Sequence, residues 1–221
     1  MSEGQGVMVS RSVIFWDVDT QVDFMLTGGK LYVPGAEKLI PNLNRLTDAA
    51  RQGRVLIIGD ACEHTPDDPE FESFPPHCIR GTPGAELIPE TRAGKILFVP
   101  NRAGTDIPAN LAEFQQVILE KQTLDVFDNP NTEKVLERVA GFTEADAEFF
   151  VFGVVTEYCV RLAAKGLLER GRRVALVRDA IETLNAEDGR KTIEQLTALG
   201  ARLVTTEQAL SALERTATRS A

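Results

Sequence analysis

Two hydrophobic periodicities alternate along the chain. Short apolar runs rich in Val, Ile and Phe predict buried strands, because strands covered on both faces lose the polar alternation of half-exposed ones. Longer stretches with an apolar residue every three or four positions predict amphipathic helices, several of which stop at a glycine. The predicted strands lie near residues 13, 54, 116, 148, 172 and 201. The predicted helices are AEKLIPNLNRLTDAARQG, NTEKVLERVAG, EYCVRLAAKGLLERG and AEDGRKTIEQLTALG.

The order of these elements predicts the fold. An alternation of strand and helix implies a parallel sheet with helices on both faces. We therefore expect α/β architecture, a three-layer α/β/α sandwich around a central, mostly parallel six-stranded sheet. A chain of 221 residues suits one domain of this class. We assign residues 1–221 to a single domain with flexible tails at 1–11 and 215–221.

Polar residues follow the predicted strands at their carboxyl ends, where open α/β sheets bind ligands. Asp19 follows the first strand, Lys121 the third, and Cys159 lies where a later strand meets a helix. A helix N-terminus stabilises a thiolate, a carboxylate can accept the thiol proton, and an ammonium lowers the thiol pKa. Each residue alone has a plainer explanation as a buried cysteine or a solvated charge. Together they predict a nucleophilic site.

Charge and composition limit which binding partners and which cellular compartment we expect for this protein. The net charge of −9, from 33 acidic and 24 basic side chains, argues against a nucleic-acid partner, because phosphates are bound by Lys and Arg. No apolar run approaches the roughly 20 residues of a membrane span, and the first residues lack the apolar core of a signal peptide. We expect a cytoplasmic protein with no membrane partner. Its three cysteines, Cys62, Cys78 and Cys159, are then thiols, ligands or a nucleophile rather than disulfides.

Four segments resemble the signatures of the nicotinamidase and isochorismatase-like cysteine hydrolase family. DTQVDF (19–24) is similar to D-x-Q-x-D-F, and FPPHCIRGTPGAELIPE (74–90) is similar to P-P-H-C-x-x-G-T-x-G-A. GVVTEYCV (153–160) is similar to the nucleophile turn G-x-x-T-[DE]-x-C-V. Lys121, in LEKQTLDVFDN, occupies the place of the family's lysine. The matches follow the family's order from the first strand to beyond Cys159.

The resemblance implies roles for the site residues. Asp19 becomes the base that deprotonates the thiol, Lys121 the electrostatic helper and Cys159 the nucleophile. It also implies a cis peptide bond between Val154 and Val155, and an oxyanion hole made by the backbone N–H groups of Val155 and Cys159. Phe24 and Phe74 occupy the positions that hold the substrate ring, although either could equally be a core residue.

The metal-binding half of the motif departs from the family's pattern. Many members hold a divalent metal with D-x-H and the histidine of P-P-H-C, and the resemblance matches that histidine to His77. The D-x-H element fits either DAC (60–62) or CEH (62–64), and each register puts Cys62 in place of one ligand. Zinc accepts thiolate and imidazole ligands together. We expect zinc, with iron or manganese as alternatives, on Cys62, His64 and His77, with Asp60 as an extra or replacement ligand, and no organic cofactor.

The function expected from this resemblance is hydrolysis of a small amide, with nicotinamide to nicotinate and ammonia as the first reaction to test. One alternative is another small amide or carbamoyl compound, and a second is a non-catalytic relative that only binds. Family members are commonly oligomers, which implies a homo-oligomer here. We interpret the acidic run at 67–70 as a solvated loop with a minor chance of supplying a ligand.

Overall fold

The computed structural model of the protein describes the backbone of residues 11–219 and the side chains of residues 12–214. The predicted tails at 1–11 and 215–221 lie outside the described residues, apart from the start of the first strand and the backbone at the end of the last helix. Within the described range, no helix is both long enough and apolar enough to cross a bilayer.

Within the described part of the chain, seven strands form one parallel sheet in the order β3-β4-β2-β1-β5-β6-β7. The α/β fold and the parallel sheet predicted from the sequence are confirmed. The strands are β1 (Arg11–Val18), β2 (Leu56–Cys62), β3 (Ile96–Val99), β4 (Gln116–Lys121), β5 (Thr143–Gly153), β6 (Arg173–Ile181) and β7 (Arg202–Val204).

The predicted count of six strands was wrong, because the sequence analysis missed β3. This strand has only four residues, ILFV, and lies at the edge of the sheet, paired with β4 alone. Three of its four residues are partly or fully exposed. A strand this short, following a Pro-rich loop, carries too few positions to show a hydrophobic period.

Helices cover the sheet in two groups, which form the outer layers of the sandwich. In one group α2 packs against α6, and in the other α4 packs against α5. The helices are α1 (Val22–Met25), α2 (Ile40–Arg51), α3 (Thr132–Ala140), α4 (Arg161–Glu169), α5 (Ala186–Ala198) and α6 (Thr206–Arg219).

The register of the central strands brings their carboxyl ends to one place. Val18 at the end of β1 lies opposite Asp60 in β2 and Gly153 in β5. Cys62 at the end of β2 lies opposite Lys121 at the end of β4. All seven residues of β2 are buried, as are the last seven of β5, because helices cover both faces of these inner strands. Side chains that follow these strands therefore meet in a site supported by rigid core.

Candidate active site

Asp19, Lys121 and Cys159 come from three different elements. Asp19 directly follows β1 and has a left-handed backbone with φ of 50°. Lys121 is the last residue of β4, and Cys159 lies in a π-helical turn, Thr156–Val160, between β5 and α4. The carboxyl ends of parallel strands share one edge of the sheet, so the fold carries all three side chains to that edge.

The three side chains meet in a buried cluster. The Lys121 ammonium Nζ lies 2.8 Å from Asp19 Oδ2 and 3.5 Å from the Cys159 sulfur. Asp19 and Lys121 are at most 1% exposed, and Cys159 is 7% exposed. The structure therefore brings together a thiol, a carboxylate and an ammonium in the arrangement needed for nucleophilic chemistry.

Burial and neighbouring charges perturb the titration of this cluster. Burial raises the pKa of the Cys159 thiol well above its usual value, and the charge of Asp19 raises it further. Burial is the largest single influence and acts to lower the pKa of Lys121, but the neighbouring acidic groups, led by Asp19, together outweigh it. The net pKa of Lys121 therefore lies well above its usual value. Cys159 is thus a thiol beside a stable cation, and it needs a base at the moment it attacks. Asp19 is the carboxylate in contact with it.

The turn that carries Cys159 has an unusual backbone. The peptide bond between Val154 and Val155 is cis, as the family resemblance implies. Gly153 before it has φ of 113°, and a Cβ there would lie 2.0 Å from the Val18 carbonyl oxygen. Only glycine allows β5 to approach β1 this closely. Val155 and Cys159 both line the cavity beside the thiol.

A cavity of about 80 Å³ opens onto Cys159 and Asp19. Phe24 and Phe74 line it, as do apolar side chains from several loops. The Phe74 ring meets the Tyr158 ring edge to face, with 6.3 Å between centroids. Among the described residues, no lysine or arginine lines this cavity. The cavity therefore suits a small, flat and uncharged molecule.

Cys62, His64 and His77 form a second buried cluster next to the first. One donor atom of each lies within 4.8 Å of the others. His77 Nδ1 is 2.8 Å from the Pro75 carbonyl oxygen, which leaves Nε2 for a ligand. His64 Nδ1 lies 3.1 Å from an Asp68 carboxylate oxygen, yet among the described residues neither ring nitrogen has a well-directed hydrogen bond. Unpaired buried nitrogens are costly, so these donors fit a divalent metal.

Burial also lowers the pKa of His77 below its usual value. The ring is therefore neutral near pH 7, which is the form that binds metals. The donor set of one sulfur and two imidazole nitrogens is one that zinc commonly accepts.

Asp60 does not belong to the metal cluster, and its prediction as an extra ligand is corrected by the structure. Its Oδ2 accepts a hydrogen bond from Trp16 Nε1 at 2.9 Å, and its Oδ1 lies 3.8 Å from Lys121 Nζ. Asp60 precedes Cys62 by two residues on β2, about 7 Å deeper along the strand at roughly 3.3 Å per residue. The register CEH (62–64) therefore supplies the side chains that cluster with His77 as candidate metal ligands.

The sequence analysis missed two contacts in this region. Cys62 Sγ lies 3.3 Å from Lys121 Nζ and 3.6 Å from Asp19 Oδ1, so it contacts the cluster around Cys159 as well as lying near the two histidines. The acidic run is not a solvated loop throughout, because Asp68 is buried beside His64 and half-buried Glu70 lines the cavity. Burial raises the pKa of Glu70. No periodicity in the loop signals either contact.

The segment DTQVDF holds the candidate metal ligands in place through two further side chains. Gln21 Oε1 accepts from the Cys62 N–H at 2.7 Å, and Gln21 Nε2 donates to the Cys62 carbonyl at 2.7 Å. Asp23 Oδ2 accepts from the Cys78 N–H at 2.7 Å, next to His77. One short segment thus fixes both the end of β2 and the loop that contains Pro75, Pro76, His77 and Cys78, which we call the PPHC loop.

Comparison with known proteins agrees with this geometry. The family model described as the isochorismatase domain matches residues 14–102 and 91–208. Nicotinamidase from Escherichia coli is 25% identical, with 85% of this chain and 92% of that protein covered. The nicotinamidase/pyrazinamidase of Mycobacterium tuberculosis is 27% identical, with 85% and 95% covered.

A solved structure extends the comparison to three dimensions. The pyrazinamidase of Pyrococcus horikoshii in complex with zinc has a TM-score of 0.69 and 27% sequence identity to this chain. The match covers 88% of this chain and 99% of that one. Since the family model spans most of the sequence, and the sheet and site have the form just described, the chain belongs to the isochorismatase domain family.

Proposed function

We propose that the protein is an amide hydrolase that converts nicotinamide to nicotinate and ammonia. The observation that carries the proposal is the contact of one buried ammonium, Lys121, with both the Asp19 carboxylate and the Cys159 sulfur. The relatives at 25% and 27% identity named as nicotinamidases support the same chemistry at the level of the family.

The proposed reaction begins with transfer of the Cys159 thiol proton to Asp19. The sulfur attacks the amide carbonyl carbon, and the carbonyl electron pair moves to oxygen. Lys121 stabilises the thiolate, and the N–H groups of Val155 and Cys159 donate to the oxyanion. The carbonyl then re-forms, the C–N bond breaks, and Asp19 returns its proton to the nitrogen, so that ammonia leaves a thioester.

Hydrolysis of the thioester completes the cycle. Asp19 accepts a proton from water, and the hydroxide oxygen attacks the carbonyl carbon. The C–S bond breaks, and the proton held by Asp19 returns to the Cys159 sulfur. The acid product leaves, and the enzyme is restored with every proton accounted for.

Cys62, His64 and His77 are the residues that we propose hold a divalent metal, with zinc as the first choice and iron or manganese as alternatives. When bound, such an ion would supply a Lewis-acid position for a ligand nitrogen or a water. A zinc complex is known for the Pyrococcus relative. The chain's own contribution is to hold these donors beside the cavity through Gln21 and Asp23.

The cavity favours a neutral aromatic amide over the other substrates considered. Phe24, Phe74 and Tyr158 give it aromatic walls, and Glu70 adds a carboxyl group. Since no lysine or arginine lines it among the described residues, a carbamoyl compound bearing a carboxylate lacks a cationic side chain on the cavity wall to pair with. A neutral small amide other than nicotinamide is the second candidate. A purely binding role is disfavoured by the intact cluster of Asp19, Lys121 and Cys159.

Release of ammonia from nicotinamide tests the proposal. We expect turnover by the metal-supplied wild type and a loss of at least about a thousandfold in Cys159→Ala, because the nucleophile is removed. Cys78→Ala removes another buried thiol, which faces the Gly84 carbonyl rather than Lys121, and should retain activity. If the wild-type protein released no ammonia from nicotinamide or any other small neutral amide, the proposed function would be wrong.

We further propose that the chain is a single domain that acts as a cytoplasmic homo-oligomer. The family resemblance supports the assembly, and the acidic charge of −9 supports independence from nucleic acid.

A further inference from the structure

Cys62 belongs to two clusters at once. Its sulfur lies 3.3 Å from the Lys121 ammonium and 3.6 Å from the Asp19 carboxylate. The same sulfur is one of three donor atoms, with a nitrogen each from His64 and His77, that lie within 4.8 Å of one another. Cys62 is 2% exposed and lines the adjacent cavity, so its sulfur contacts these groups and the cavity and is shielded from bulk solvent.

The identity of this donor atom determines which metals bind well. The aspartate of the D-x-H pattern would offer a hard oxygen, which suits manganese, magnesium and ferrous iron. A thiolate is a soft ligand and favours zinc and other thiophilic ions, especially beside two imidazoles. The Lys121 ammonium lies within hydrogen-bonding distance of the sulfur, so the negative charge of a ligating thiolate has a partner in this buried site.

Cys62 is poorly placed for a different role as a second nucleophile. Its backbone N–H is held by Gln21 Oε1 at 2.7 Å, and its carbonyl accepts from Gln21 Nε2. It also ends a regular strand, whereas Cys159 lies in a turn leading into a helix. An oxyanion formed at Cys62 would therefore lack the free backbone donors that acyl transfer needs.

We propose that Cys62 makes this a thiophilic metal site, which selects zinc over manganese and ferrous iron through one sulfur and two imidazole nitrogens. The inference rests on the metal site of the proposed function, and it is independent of which amide is hydrolysed. It assigns to Cys62 the choice of metal, while His64 and His77 supply ligands common to many divalent ions.

Cobalt binding to the full chain tests the proposal without substrate. Cobalt(II) bound to thiolate shows a near-ultraviolet charge-transfer absorption that carboxylate ligation does not give. We expect this band in the wild type and in Cys159→Ser, and its loss in Cys62→Asp and Cys62→Ser. Cys62→Ser replaces only the sulfur by oxygen, so it disturbs the fold less than Cys62→Asp. If Cys62→Asp is unstable, Cys62→Ser carries the test, and circular dichroism checks that it is folded. A band that persists without Cys62, or is missing from the wild type, overturns the proposal.

Metal competition measures the selectivity directly. Wild type and Cys62→Asp are dialysed against equal zinc and manganese, and bound metal is determined by elemental analysis. We expect the zinc-to-manganese ratio to fall at least about tenfold in the variant, equivalent to about 1.4 kcal/mol. An unchanged ratio contradicts the inference. Because neither experiment uses an amide, failure of the ammonia assay leaves this result standing, and failure here leaves the triad chemistry untouched.

Discussion

Asp17 is a carboxyl group buried beneath the active site, one residue from the end of β1. Its Oδ2 accepts a hydrogen bond from Thr20 Oγ1 at 2.9 Å, while its Oδ1 has no partner among the described residues. Burial raises the pKa of Asp17 to about 7, with a smaller upward effect from the charge of Asp19. An unpaired buried carboxylate is costly, so Asp17 holds a proton in the folded protein at mildly acidic pH.

This protonation makes the contribution of Asp17 to stability depend on pH. Its folded pKa, about 7, is above the ordinary value of 3.8, so between these values the folded state binds more protons than the unfolded state. The stabilisation that Asp17 contributes by binding a proton in the folded state is fully present below about pH 4. As pH rises, this contribution to the unfolding free energy falls by about 1.4 kcal/mol per pH unit until the pKa near 7 is passed. Asp17→Asn removes the titration. The variant should therefore gain stability relative to wild type as pH rises from 5 to 8.

Urea unfolding at pH 5 and pH 8 measures this difference for the two proteins. Subtracting variant from wild type at each pH cancels groups that titrate alike in both. A difference in unfolding free energy that is the same at both pH values would show that Asp17 is already ionised at pH 5.

At the scale of elements, the nucleophile turn is tied to the loop that precedes α5. The Glu157 carboxylate accepts from Thr183 Oγ1 at 2.6 Å and from the N–H groups of Leu184 and Asn185, both at 2.9 Å. Leu184 lines the mouth of the cavity and is 51% exposed. One carboxylate thus joins the turn that carries Cys159 to the rim of the cavity.

Glu157→Ala should loosen this rim more than it disturbs the chemistry. Three donors lose a charged acceptor, so the position of Leu184 becomes less defined. We expect KM for the amide to rise roughly tenfold, or about 1.4 kcal/mol of binding, with a smaller change in kcat. Glu187→Ala is a matched control, because that carboxylate pairs with exposed Arg190 and Lys191 and does not line the cavity. A fall in kcat with KM unchanged would place Glu157 in the chemical step instead.

At the scale of the whole molecule, the proposed metal ligands come from parts of the fold that are distant in sequence. Cys62 and His64 lie at and just beyond the end of β2, and His77 lies in the PPHC loop, which is hydrogen-bonded to α1 through Asp23. A ligand that binds only the folded state stabilises it by mass action. Bound metal should therefore raise the melting temperature.

Removal of metal tests this coupling. Zinc at one hundred times its Kd stabilises the folded state by about 2.7 kcal/mol. We expect a chelator to lower the melting temperature of zinc-loaded wild type by several degrees, and added zinc to restore it. His77→Ala should melt at one temperature with or without chelator. Equal melting of metal-loaded and stripped wild type, with the metal content verified by elemental analysis, would contradict the prediction.

The long strands and helices of the core were predictable because each has a recognisable hydrophobic pattern. The buried strands are nearly continuous apolar runs, and the helices have an apolar residue every three or four positions. β2 and β5 are mostly apolar over their buried lengths, with Asp60 and Glu148 as the charged exceptions, and the motifs at 19–24 and 153–160 lie at strand ends, where α/β sheets bind ligands. β3 was not predictable, since four residues at a partly exposed edge leave no period to detect. The prediction that the acidic loop is solvated was wrong for Asp68, because Asp68 is buried through its contact with His64, and local sequence does not show that contact.

The amino-acid sequence by itself determined the layered α/β fold, the edge of the sheet where the site lies, and the candidate residues Asp19, Lys121 and Cys159. These follow from local periodicity and from residue types at strand ends. Only the tertiary structure decided that Cys62 rather than Asp60 joins His64 and His77, and that its sulfur also contacts Lys121. Asp60 and Cys62 are two residues apart on one strand, so the sequence alone leaves either of them as a possible partner of the histidines. The register of β2 against β4, and the packing of the PPHC loop above them, are long-range contacts that choose between them.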